Sequence, residues 1–197
     1  MNRSAHSLTG LLGACWGDVS FSTAAVGTSE RAYTEDPPQG RLPVSGDDGA
    51  LTFRTTPEAY DSHVGRYGAD LARGLIGLAT VAAGDRVLDV GCGTGLLTAE
   101  LAAVVDASNV AAIDPSAPFA ASCQARVTGA DVRVGRAEDL PFDDEIFDAV
   151  FSQLALNFMS DPVAGVTEMR RVARPGGMIA ACVWDYAGEM TLLRTFW

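Results

Sequence analysis

Lysine is absent from this chain. All 14 basic side chains are arginine, set against 25 acids, for a net charge of −11. Without a lysine there is no Gly-Lys-Ser/Thr phosphate loop, because that loop needs the lysine on the phosphates. The acid excess argues against a protein that tracks nucleic-acid phosphates, which draws on a basic face for counterion release. It argues equally against docking on anionic membranes. The one basic cluster, Arg170, Arg171 and Arg174, reads as a helix end carrying cations near its negative dipole terminus. Histidine is scarce too, with only His6 and His63. The four cysteines (Cys15, Cys92, Cys123, Cys182) show no C-x-x-C spacing, so neither a zinc site nor a disulfide framework is expected. Reduced thiols in a cytoplasmic setting are the default. No run of about 18 apolar residues exists to cross a membrane as a helix. The stretch 8–16 after Arg3 imitates a signal peptide only faintly, since Gly10 and Gly13 break its apolar part.

The sequence does hold one domain's worth of core-forming residues with length to spare: 197 residues, 48% of them hydrophobic. Residues 1–50 carry Gly, Ser, Thr, Pro and Asp without sustained periodicity and are expected to be a poorly ordered extension. Residues 51–197 are expected to form the domain. Thr56-Pro57-Glu58 is a helix start, threonine as N-cap and proline at the first helical position. Leu71, Leu75, Leu78, Ala79 and Ala82 continue a helical face. From Arg86 onward, strands and helices alternate. Strands are expected at 86–90, 109–113, 131–134, 146–152 and 178–184, and helices at 94–105, 116–126 and 162–172. That rhythm means right-handed βαβ units, hence an α/β fold with a doubly wound, mainly parallel sheet in the order 3-2-1-4-5.

The chemistry-bearing turn follows the first of these strands. Asp89-Val90 leads into Gly91-Cys92-Gly93-Thr94-Gly95 and then a helix. Glycines there let the chain turn tightly and let a ligand approach without meeting a Cβ, while the first helical N–H groups face it. The glycines fall at 91, 93 and 95, with Leu96 where a dinucleotide fingerprint has its third glycine. Taken alone, such a turn is also compatible with a purely structural bend. The second strand ends at Ile113-Asp114-Pro115, which sets a carboxylate beside the glycine turn. Asp114 suits both a helix cap and an acceptor for the two hydroxyls of a ribose, and the roles are compatible.

Five segments occur in order: 87–95 (VLDVGCGTG), 112–116 (AIDPS), 135–142 (GRAEDLPF), 147–158 (FDAVFSQLALNF) and 168–177 (EMRRVARPGG). With 60–67 (YDSHVGRY) upstream, they resemble the small-molecule type of class I S-adenosylmethionine-dependent methyltransferases, over roughly residues 57–186. The resemblance implies a Rossmann-like methyltransferase fold with S-adenosylmethionine as cofactor. It implies that Gly91, Cys92 and Gly93 lie along the methionine part, with Asp89 orienting its amino group. Asp114, with Pro115 beside it, would hold the ribose. Ala137, Glu138 and Asp139 would border the adenine. Ser152 and Gln153, just beyond the fourth strand, would flank the sulfonium, and Tyr60 would close the site. Arg136 departs from the family pattern, which has Asp or Asn there, and is expected either in solvent or paired with Glu138 or Asp139. No catalytic residue is assigned. His63 is the tempting candidate base, and a surface or packing role is the commoner one for such a histidine.

Family members continue past the fifth strand with a helix and an antiparallel strand pair, whereas 192–197 (LLRTFW) reads as mid-helix. The expectation is therefore a chain shortened at its C-terminus, with the strand at 178–184 left as an open apolar edge through which a homodimer could form. Three functions compete. The first is methyl transfer to a small-molecule acceptor. The second is an inactive cofactor-binding fragment or interaction module of the same fold. The third is a nicotinamide dehydrogenase, which shares the sheet but would want the missing third glycine.

Overall fold

The structure, a computed structural model, describes residues 20–25 and 56–184. Six parallel strands form one sheet: β1 Ser20–Ala25, β2 Val87–Val90, β3 Val110–Asp114, β4 Asp131–Val134, β5 Phe147–Gln153 and β6 Ala173–Val183, in the spatial order β1-β6-β5-β2-β3-β4. Helices α1 Pro57–Tyr60, α2 Arg66–Leu78, α3 Leu96–Val105, α4 Ala117–Arg126 and α5 Pro162–Val172 flank it. The five strands from β2 to β6 stand in the order read from the sequence.

Strands β2 and β3 are buried at every position, as near-continuous apolar runs must be when helices cover both faces. Alternation along the strands sorts the core into two layers. Val87, Val110 and Phe151 pack with Leu75 of α2 and Leu97 and Leu101 of α3. Leu88, Ile113 and Val150 pack on the other face with Met169 and Val172 of α5. Period two places Asp89 on the α3 side with Val87, which is how a carboxylate comes to lie inside the sheet.

Local chemistry sets the helix starts. Thr56 Oγ1 accepts from Ala59 N ahead of Pro57, and Asp161 Oδ1 accepts from Val163 N and Ala164 N, 3.0 Å each, ahead of Pro162. Pro175-Gly176-Gly177 lies at a bulge inside β6: Ala173 pairs with Phe147, and Met178 already pairs with Ala149.

One expectation is corrected. The apolar edge at 178–184 is not open, because β1 pairs with it in parallel register from Ser20↔Met178 to Ala25↔Val183. A regular element therefore lies within 1–50, and a dimer that completes the sheet at β6 loses its motivation. The reason is physical: buried-type strands leave main-chain donors and acceptors to be paired, and this segment of the same chain pairs them. The rest of 1–55, with His6 and Cys15, and the C-terminal stretch 185–197 lie outside the described residues. Among the described residues no helix is long and apolar enough to cross a membrane.

Candidate functional site

The carboxyl ends of β2, β3 and β5 converge on one cleft of about 800 Å³, open at its mouth. Its floor is the glycine turn. Gly91 N and Cys92 N both donate to Ile113 O, at 2.8 and 3.0 Å, which folds the turn back onto β3. Gly91 has φ +77°, and a Cβ there would lie 2.3 Å from Ala155 Cβ, so side-chain-free backbone is required. Gly93, at φ +54°, is different. A Cβ there would meet no described atom within 4 Å, so this glycine borders open space in the cleft.

Asp114 sits at the end of β3, 7% exposed. Its Oδ2 accepts from Gly93 N and its Oδ1 from Ser116 N, each at 2.8 Å. One carboxylate thus ties the glycine turn to the start of α4. A carboxylate offers about four lone-pair sites, so two acceptor positions remain for a ligand. Burial raises the acid's pKa and the two amides pull it back.

Asp89 is fully buried behind the turn. Thr98 Oγ1 donates to its Oδ2 at 2.6 Å, while Oδ1 has no donor among the described residues. Burial pushes this carboxyl up to about 7, against the lowering effect of the Thr98 bond. Gln153, the last residue of β5, resembles it. Its Nε2 donates to Gly68 O at 3.1 Å, and its buried Oε1 is likewise without a donor. Both residues line a second, smaller cavity that also touches Gly91, Cys92, Gly93 and Thr94. Two orphaned acceptors on one small cavity are costly unless a ligand brings donors.

Tyr60, at the end of α1, lines both cavities, and its ring packs against Phe119 with centroids 5.6 Å apart. Burial, then the Asp114 and Asp61 charges, raise its hydroxyl pKa. On the opposite wall, Pro115, Gly135, Arg136, Ala137 and Glu138 line the cleft. Glu138 Oε1 accepts from Ser160 N at 2.8 Å and Asp161 N at 3.2 Å, clipping that wall to the segment after β5. Of the two alternatives for Arg136, solvent or pairing, the structure has pairing: it reaches Glu138 Oε1 at 3.5 Å and Ser160 Oγ at 2.7 Å.

Tyr60, Asp89, Gly91, Cys92, Gly93, Asp114, Pro115, Ala137, Glu138 and Gln153 are therefore gathered at the two cavities. Two expected residues are not. Ser152 lies inside β5 rather than beyond it, fully buried, donating to Val90 O at 3.0 Å. Asp139 is exposed and lines neither cavity. The side chain of His63 lies outside the described residues. Missed by the sequence reading were Phe119, Leu154, Ala155, Phe158 and Met159, which supply much of the apolar lining. The segment 147–158 already carried a signal, Leu-Ala-Leu-Asn-Phe directly after a strand, but nothing marked its turn. Leu154 takes φ +58°, uncommon for a non-glycine and found here at the cleft. Two of the three clustered arginines are held internally. Arg171 bonds Glu168, Asp144 and the carbonyls of Leu140 and Phe142, and Arg174 pairs with Asp148.

A parallel α/β sheet with a glycine turn, a buried acid behind it and a second acid on the neighbouring strand defines a nucleoside-binding site at the carboxyl edge. Residues 88–181 match the family model described as a methyltransferase domain. The malonyl-[acyl-carrier protein] O-methyltransferase of Erwinia billingiae is 35% identical over 66% of this chain and 51% of its own length. The demethylmenaquinone methyltransferase of Mycobacterium sp. (strain KMS) is 46% identical over 50% of this chain and 41% of its own. Among solved structures, the YcgJ protein of Bacillus subtilis superposes with a TM-score of 0.55 at 27% identity, covering 66% of this chain and 56% of that one. Over residues 88–181 the chain is similar to S-adenosylmethionine-dependent methyltransferase domains in both sequence and fold. It spans about half the length of the curated relatives it matches.

Proposed function

We propose that this protein transfers a methyl group from S-adenosylmethionine to a small-molecule acceptor. The observation that carries the reading is the pair of orphaned buried acceptors, Asp89 Oδ1 and Gln153 Oε1, on the small cavity behind the glycine turn. An amino-acid ammonium brings several N–H donors and a positive charge, which is what an unpaired carboxylate oxygen and an amide oxygen lack. Asp114, with lone pairs to spare, would hold the ribose hydroxyls, and Gly93 would let the backbone approach the nucleoside. Ala137 and Glu138, with Phe158 and Met159 across from them, would border the base.

The cofactor supplies a methyl group already activated by its sulfonium. The task left to the chain is to bind, orient and exclude water, and positioning alone accounts for much of such acceleration. Tyr60 and Phe119 cover the cleft from the α1 side and serve that end. Two named acceptors of relatives, a malonyl-[acyl-carrier protein] and a demethylmenaquinone, differ from each other, so neither is carried over to this protein. The net charge of −11 favours a small or neutral acceptor over a nucleic acid.

Titration calorimetry with S-adenosylmethionine and its demethylated product tests the binding half. Micromolar affinity that Asp114→Ala abolishes is the expected result, and wild-type protein that takes up no heat from either compound overturns the reading. Release of the demethylated product in the presence of candidate acceptors tests the transfer half and separates an enzyme from an inactive binding module.

A further inference from the structure

Between α1 and α2 the chain makes one π-helical turn, Asp61–Gly65. Such turns are rare and are frequent at functional sites. Its first residue, Asp61, holds two partners from distant segments, one on each oxygen. Thr94 Oγ1 donates to Oδ1 at 2.6 Å, and Arg126 Nη2 donates to Oδ2. Thr94 is the residue after Gly93 in the cofactor turn, 1% exposed, and it lines the smaller cavity. Arg126 ends α4, the helix whose Phe119 meets Tyr60. A single carboxylate therefore joins the N-terminal helix, the glycine turn and α4. The residue before it is Tyr60, the aromatic cover common to both cavities.

We propose that Asp61 is a positioning residue, a latch that sets Tyr60 over the cofactor cleft by clasping Thr94 of the glycine turn and Arg126 of α4. The proposal rests on the cleft being the S-adenosylmethionine site. Gln153 Nε2 ties down Gly68 eight residues after Tyr60, which anchors α2, while Asp61 is adjacent to the tyrosine itself. The side chains of both partners of the pair Asp61–Arg126 are only about 30% exposed, so the clasp is partly shielded from solvent. Because Asp61 touches neither open face of the cleft, its effect on the ligand must pass through Tyr60 and the turn.

The test is a double-mutant cycle on binding of the demethylated cofactor, read by calorimetry in wild type, Asp61→Ala, Tyr60→Ala and the double variant. Asp61→Ala is expected to weaken binding by about tenfold, the scale of one lost charge-assisted hydrogen bond. In the Tyr60→Ala background the same change should cost less than about twofold, since coupled residues are non-additive. Asp61→Asn, which keeps an acceptor for Thr94, should recover part of the loss. Independent costs that simply multiply, or wild-type affinity in Asp61→Ala, overturn the latch. Fluorine NMR of ligand-free protein labelled with 3-fluorotyrosine, with the Tyr60 line assigned by Tyr60→Phe, tests it without the cofactor. That line should shift in Asp61→Ala and in Thr94→Val, the second variant guarding against a fold lost in the first. An unmoved Tyr60 line refutes the positioning role even where the cofactor binds, and wild-type protein that binds no cofactor while the line moves counts against the cofactor reading alone.

Discussion

Asp89 makes cofactor affinity depend on pH in a way that can be worked out in advance. Its carboxyl is fully buried and titrates near 7 because burial opposes ionisation more than the Thr98 bond assists it. Only the ionised form pairs with a ligand ammonium. Below pH 7 a proton must leave before binding, and affinity falls about tenfold per pH unit. Between pH 8 and pH 5.5 the dissociation constant of the demethylated cofactor should therefore rise on the order of thirtyfold. Asp89→Asn keeps the shape and an acceptor for Thr98 but cannot ionise. Its affinity should be flat across this range and close to that of wild type at low pH. The ligand-free stability carries the opposite sign. The folded-state pKa lies above that of the unfolded chain, so stability is highest where Asp89 is protonated and is lost as pH rises from about 4 towards 7. At pH 8, ligand-free Asp89→Asn should be more stable than wild type by about 2–4 kcal/mol, binding exchanged for stability. Calorimetry and urea unfolding at several pH values measure both. A wild-type dissociation constant that does not change from pH 5.5 to 8, or the same slope in Asp89→Asn, refutes the reasoning.

Other outcomes follow from geometry. Gly91→Ala combines φ +77° with a Cβ 2.3 Å from that of Ala155 and should cost about 2–4 kcal/mol in urea unfolding. Gly93→Ala has open space around its Cβ and should cost only about 1–2 kcal/mol, yet it should block the cofactor, so calorimetry will show lost binding in a folded protein. Arg171→Ala leaves the carbonyls of Leu140 and Phe142 without their guanidinium donors and should lower stability by about 1–3 kcal/mol, with the smaller figure favoured because Arg171 is partly exposed.

The sheet was legible because its signals are local and repeated. Asp161-Pro162 marks the start of α5, and the apolar runs at β2 and β3 mark strands covered on both faces. Asp114 was legible because strand end, acid and helix start coincide in sequence. β1 was not, since its pairing with β6 spans more than 150 residues and its own segment carries no flanking periodicity. Ser152 was assigned to the cleft although it already fell within the expected strand 146–152. The strand runs on through Gln153, so the serine hydroxyl turns inward to Val90 O instead of reaching the cleft. The apolar wall at Leu154 to Met159 depends on a left-handed leucine that no turn residue announces. The basic cluster was read only as cations at a helix end, and a second role was missed: Arg171 is a clamp on the 140–144 segment.

The most direct measurement is a crystal structure of the protein with the demethylated cofactor bound. The ribose hydroxyls should lie within hydrogen-bond reach of Asp114, and the amino nitrogen should meet Asp89 Oδ1 and Gln153 Oε1 behind the glycine turn. Density for the nucleoside anywhere else, or a cleft whose two orphaned acceptors stay unpaired with ligand present, would contradict it.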